Sequence, residues 1–358
     1  MNRITSLDAL RGVAAFSVVV SHLLLVLSVM HAPFPVSWRA FLARWAVLTF
    51  FALSGYVLAL PYFNGRSPTY RAFVLRRFCR IYLPYAAVVA AAGALFYFFA
   101  GGATHRDVLQ SMNASTFVQS LLMSGTMPSV SVDPVTWSLE IEMRFALVFP
   151  LLVLLVRRDW KSALFAATLV SIVSLALVQR LHLDWYGFSV PVVGTTFAAS
   201  LLVTAYYGSL FAGGIALAMF GTQVAGFAQR HLAPLWAATL ALLALGMIYD
   251  PCMLAAAILL VALVPHTPVV VRAFQWQPID WVGRISYSLY LVHVVVLFAI
   301  WRLTGSPLVA AIAFIPISLA LAHLSYRYVE LPSIALGRRL TSGSRVAAPP
   351  KPASVTSP

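Results

Sequence analysis

The first apolar stretch, LDALRGVAAFSVVVSHLLLVL, carries Asp8, Arg11 and His22. Ionisable groups inside such a stretch are costly and mark a functional site by default. At about 100° per residue, Arg11 and His22 lie three turns plus about 20° apart, and Asp8 falls within about 60° of both, so all three share one helix face. Arg11 sits near the helix entry and His22 about 16 Å deeper. Proton transfer is the chemistry this set supports, because a neutral imidazole accepts a proton near working pH. A purely structural reading also fits: an interfacial Asp8–Arg11 ion pair, and a histidine hydrogen-bonded to a neighbouring helix.

Other segments bring further groups. Arg76, Arg77 and Arg80 precede the third apolar stretch. Arg77 and Arg80 are spaced i, i+3 and can act together, and guanidinium groups grip phosphate oxygens in pairs. Basic residues beside a span also simply orient it. Glu140 and Glu142 open the stretch at 137 but point about 200° apart, so only one of them can face a site; Glu140 stands i, i+4 from Arg144 and suits an ion pair. Trp137 is placed either to stack on a sugar ring or to sit at the membrane interface. Ser286, Tyr290 and His293, at i, i+4 and i+7, form one polar stripe, which also suits helix–helix hydrogen bonding. The sequence has no G-x-S-x-G elbow, no phosphate-binding G-x-x-x-x-G-K-[ST] loop and no H-E-x-x-H metal motif. Cys79 and Cys252 have no metal-ligand spacing, and no metal is expected.

The elements that must position these groups are membrane helices. Hydrophobic residues make up 61% of the 358 and charged residues 9%, against about 25% charged in a soluble domain, so the solvent of this chain is lipid. Apolar stretches near twenty residues recur to about residue 330, each long enough for a core of roughly 30 Å. The expected class is all-α, a polytopic membrane protein with about ten transmembrane helices, at 7–29, 45–63, 81–100, 137–156, 162–180, 197–220, 233–249, 251–268, 284–303 and 308–328. The net charge of +14 does not indicate nucleic acid, because the basic residues collect in short loops where orientation signals belong. With both termini cytoplasmic, 18 basic residues fall inside and 5 outside. Residues 1–340 read as one transmembrane domain, with a 101–136 loop holding a short apolar helix at Phe117–Met123. The Ser-, Pro- and Ala-rich tail at 341–358 is expected to be disordered.

Five segments, in order, resemble the acyltransferase-3 family of integral membrane acyltransferases. They are Leu7-Asp8 followed by the Arg11-x10-His22 spacing, FFALSGYVLAL at 50–60, RRFCRIYLPY at 76–85, WSLEIEMRFALVFP at 137–150 and GRISYSLYLVH at 283–293. Ala146 departs from the tyrosine usual in the family. The resemblance implies O-acyl transfer in a bacterial inner membrane, from cytoplasmic acyl-CoA, most often acetyl-CoA, to a hydroxyl of an extracytoplasmic glycan or glycolipid. It implies His22 as general base with Asp8 and Arg11 beside it. It implies Arg76, Arg77 and Arg80 as the donor-binding group, and Glu142 as a group that binds acceptor hydroxyls or tunes His22 from the outer side. Trp137, Tyr290 and His293 are the accompanying acceptor-side candidates. No segment resembles the hydrolase-like domain that some members add, so the membrane domain and its 101–136 loop are expected to handle the acceptor. Two other classes fit the bare residues. A transporter or flippase also carries intramembrane charges, though no inverted repeat is visible here. The distinct multispan O-acyltransferases bury a late histidine, which His293 imitates.

Overall fold

The computed structural model describes residues 5–29, 36–99, 114–130, 132–184 and 192–342. A backbone in lipid must satisfy its own polar groups, and the apolar runs do so as helices. The chain forms α1 (Thr5–Val29), α2 (Val36–Phe63) and α3 (Tyr70–Phe99), then two short helices, α4 (Ala114–Leu121) and α5 (Met127–Val130). A 3-10 turn, Pro134–Thr136, leads into α6 (Trp137–Arg158) and α7 (Trp160–Arg180). There follow α8 (Phe197–Tyr206), α9 (Gly208–Met219), α10 (Gly221–Arg230), α11 (Leu232–Leu245), α12 (Asp250–Leu263) and α13 (Pro268–Phe274). The last elements are α14 (Gln277–Thr304), α15 (Pro307–Ser325), a π-helical turn Tyr326–Glu330, and α16 (Leu331–Leu340). Among the described residues there is no strand, only isolated bridges from Gly194 to Thr126 and Asp184. The protein is an all-α, multi-pass membrane protein.

Among the described residues, seven helical segments are long and apolar enough to cross a membrane, and α12 with α13, bent by 84°, makes an eighth if the pair is one span. Two of the ten expected spans fall short of that description. The 14-residue α11 is too short for a bilayer core. The 22-residue α6 has the length but carries Glu140, Glu142, Arg144, Arg157 and Arg158. The larger departure is α3. It begins at Tyr70 rather than 81, so Arg76, Arg77 and Arg80 lie within the helix rather than in a loop before it. Arginine is a good helix former, and Arg77 finds a counter-charge inside the bundle. The short helix expected at Phe117–Met123 is α4. The tail beyond 342 and residues 100–113 lie outside the described residues.

Local chemistry sets the joints. Asp159 caps α7 by accepting from Lys161 N at 3.1 Å and Ser162 N at 3.3 Å, which lets α6 turn straight into α7. Gly305 ends α14 in the left-handed region, with φ +61°. At the centre stands α14, with 72% of its span window buried, whereas α7 at the rim has 17%. Rim residues such as Phe165 and Ile312 are exposed, as lipid-facing side chains must be.

Small residues let the central helices touch. A Cβ added at Gly12 would lie 2.5 Å from Gly283 N, and one at Gly283 would lie 2.6 Å from Asp8 O, so α1 and α14 meet backbone to backbone. Gly55 and Gly214 do the same for α2 and α9. An ion pair ties α2 to α12: Arg44 Nε and Nη2 donate to the two Asp250 carboxylate oxygens at 2.7 and 2.6 Å, and Arg44 Nη1 donates to Tyr207 OH at 2.7 Å. Tyr206 donates to the same carboxylate.

Candidate active site

Helices α1, α2, α3, α6 and α14 enclose a cavity of about 170 Å3. Five charged side chains line it: Asp8 and Arg11 from α1, Arg77 and Arg80 from α3, and Glu142 from α6. Arg11 Nη1 lies 3.3 Å from Asp8 Oδ1. Arg77 forms a short ion pair with Glu142, whose Oε1 also accepts from Ser54 Oγ at 2.9 Å. Arg80 makes no hydrogen bond or ion pair with any described residue, which leaves its guanidinium available to a ligand.

The depth of this cluster follows from the early start of α3. Arg77 and Arg80 are two to three turns inside the helix, where they meet Glu142. Glu142 was expected on the outer side of His22; instead it shares the arginine cavity, and no described contact joins it to His22. Glu140, on the other face of α6, is buried with neither carboxylate oxygen hydrogen-bonded. The expected Glu140–Arg144 ion pair does not form. Arg144 instead donates to Ser200 O at 3.0 Å, Ser124 O at 2.8 Å and Thr204 Oγ1 at 2.8 Å, stitching α6 to α8 and the loop after α4. Arg76 does not line the cavity; its Nε donates to Thr341 Oγ1 at 2.6 Å, across the α3–α16 contact.

Tyr290, Ser138 and Phe50 also line the cavity. The Val135 carbonyl can only accept, so Tyr290 OH donates to it at 2.8 Å, and the 2.7 Å contact with Ser138 is donated by the serine. Phe50 packs edge-on against the Tyr290 ring, with centroids 5.7 Å apart. One turn further along α14, His293 is fully buried and lies beside His22 of α1, with ring centroids 5.0 Å apart and His293 Nε2 3.4 Å from His22 Nδ1. His22 is partly exposed and does not line the cavity. The stripe Ser286–Tyr290–His293 thus divides: Ser286 Oγ donates locally to Gly283 O at 3.0 Å, Tyr290 bonds to α6 and the turn before it, and His293 meets His22. Trp137 is partly buried between Phe51 and Tyr207, with centroids at 6.3 and 5.9 Å.

Two groups at the site were not singled out by spacing. Tyr287 lines the cavity and donates to Ile81 O at 2.7 Å. Glu330 ends the π-helical turn, is buried, accepts from Ser288 Oγ at 2.8 Å and interacts electrostatically with Arg80 and Arg11. π-Turns are frequent at functional sites, but the extra residue that makes one has no local sequence signature. Among the described residues no three His, Cys, Asp or Glu side chains gather as a metal site.

A helical membrane protein with a cationic cavity and two facing histidines, one of them fully buried, is the class these features define. The family model described as an acyltransferase domain, that of acyltransferase family 3, matches residues 4–327, and the chain belongs to that family. It is a membrane acyltransferase. No curated protein and no solved structure compared with the chain matches it.

Proposed function

We propose that this protein is an O-acyltransferase of a bacterial inner membrane. It moves an acyl group, in the simplest case acetyl, from cytoplasmic acyl-CoA to a hydroxyl of an extracytoplasmic glycan or glycolipid. The observation that carries this reading is the cavity. It gathers three guanidinium groups against two carboxylates, and Arg80 makes no hydrogen bond or ion pair with any described residue. A phosphate-bearing donor is the ligand such a set grips best. Arg11, Arg77 and Arg80 hold the coenzyme; Arg76, turned to Thr341, does not.

His22 is the general base. Its Nε2 takes the proton of the acceptor hydroxyl as the hydroxyl oxygen attacks the thioester carbonyl carbon. The carbon–sulfur bond breaks, the thiolate leaves, and it recovers the proton from Nε2, so the products are the ester and free coenzyme A. Developing charge on the carbonyl oxygen needs hydrogen-bond donors, and Arg80, whose guanidinium makes no hydrogen bond with a described residue, is the cavity group with protons to spare. Trp137 stands at the start of α6 as the stacking surface for the acceptor.

The test is His22→Ala in purified protein reconstituted into vesicles, supplied with acetyl-CoA and envelope glycan. The expected result is normal insertion with transfer abolished; full transfer removes the mechanism. Mass spectrometry of envelope glycans with and without the gene identifies the acceptor by the acetyl groups lost. Uptake of substrate into empty vesicles without dependence on CoA decides for a transporter instead.

A further inference from the structure

The two histidines are arranged by direction as well as by distance. His22 Nδ1 lies 2.9 Å from Val18 O. A carbonyl cannot donate, so Nδ1 carries the proton and Nε2 carries the lone pair. His293 Nδ1 lies 2.8 Å from Tyr290 O and 3.1 Å from Leu289 O. It too must be the protonated nitrogen, so His293 Nε2 presents a lone pair. That lone pair faces His22 Nδ1 at 3.4 Å, with the rings 69° apart. The His22 N–H is therefore shared between the Val18 carbonyl and His293 Nε2, and the sequence of donors runs one way, from His22 to His293 to the α14 backbone.

We propose that His293 is a positioning residue for His22: its backbone-anchored Nε2 accepts the His22 Nδ1–H, holding the ring with Nε2 free to act as base. This rests on His22 being the base. His293 is fully buried whereas His22 is partly exposed, so an acceptor hydroxyl reaches the first histidine and not the second. When His22 Nε2 takes a proton, its Nδ1–H becomes the donor of a charge-assisted bond, which is roughly twice as strong as a neutral one. His293 then does what the carboxylate does in a Ser-His-Asp triad, orienting the imidazole and sharing the imidazolium charge. It does so without placing a second fixed charge in the membrane interior, where ionised groups are expensive. No proton passes to His293, and the balance of the transfer reaction is unchanged.

The experiment compares His293→Ala, His293→Gln and His22→Ala by steady-state kinetics with acetyl-CoA, and by nitrogen-15 spectra of histidine-labelled protein in lipid. Loss of a supporting hydrogen-bond partner costs about 10- to 100-fold in activity. His293→Ala is expected to lower kcat by that factor with the KM for acetyl-CoA unchanged. His293→Gln, whose amide oxygen can accept the same bond, is expected to recover part of it. The wild-type spectrum is expected to show His22 protonated on Nδ1 alone, with that resonance shifted in His293→Ala. An unshifted resonance, equal loss in the Ala and Gln variants, or a rise in KM with kcat intact overturns the positioning role alone. Full activity in His22→Ala overturns the base itself, and the positioning role with it.

Discussion

A guanidinium inside a membrane protein needs a partner, and the partner shows what the arginine is for. Arg44 has Asp250 and Tyr207, and Arg144 has backbone carbonyls; both are spent on holding helices together. Arg77 is balanced by Glu142, while Arg80 lines the cavity without a bond of its own. Arg80→Gln is therefore expected to raise the KM for the acyl-CoA about tenfold, equivalent to about 1.4 kcal/mol of binding, with little change in kcat. Arg76→Gln, which removes only the contact to Thr341, is expected to leave that KM unchanged; initial rates over a range of donor concentration separate the two. Asp133 makes a different residue-scale prediction. It caps the 3-10 turn whose Val135 carbonyl takes the Tyr290 hydroxyl. Burial pushes its carboxyl up from 3.8 to about 8, only partly offset by the Val135 N–H. Between about pH 4 and pH 8 the folded state then binds more protons than the unfolded one, so stability falls as pH rises through that window. The thermal midpoint in detergent should decline over the same range in the wild type and decline less in Asp133→Asn.

Position along a helix decides which of these residues meet, and the α1–α14 pair sets the register of the site. Gly12 faces Gly283 and His22 faces His293, the same ten-residue step on both helices, so the two run parallel and in step. The glycine contact at one end delivers the histidine contact at the other. Gly12→Ala forces the backbones apart, and overpacking of this kind costs about 1–3 kcal/mol. It is expected to lower the melting temperature and to abolish transfer, whereas Gly221→Ala, with open space around it, is expected to do neither. The pairing of Asp8 with Arg11 was legible from α1 alone, as was the shared side of Arg77 and Arg80, because both are local angles on a helix; that His22 stands outside the cavity these four line was not. The facing of His22 and His293 was not, because it depends on how two helices 271 residues apart in sequence align. The start of α3 was hidden for another reason. Hydropathy reads an arginine-rich turn as the end of a span, and only the tertiary pairing of Arg77 with Glu142 makes that turn affordable inside one.

For the molecule as a whole, the parallel run of α1 and α14 fixes where the described chain ends lie. The helix after α14 returns as α15, and α16 then packs beside the start of α3, where Arg76 bonds Thr341. The start of α1 reaches the same end of the bundle, since Asp8 and Arg11 share a cavity with Arg77 and Arg80. Both ends of the described chain therefore sit on one face. This placement does not depend on how α6, α11 and the bent α12–α13 pair are counted, which is where counting spans from the sequence becomes ambiguous. We expect that side to be the cytoplasm, because basic residues near span ends favour it and the end of the chain carries Arg338, Arg339, Arg345 and Lys351. Reporters that are active only in the cytoplasm, fused separately to the two termini, are expected both to be active. Two inactive reporters would invert the molecule and put the arginine cavity out of reach of cytoplasmic acyl-CoA. One active and one inactive would contradict the α1–α14 register, and with it the contact between the two histidines.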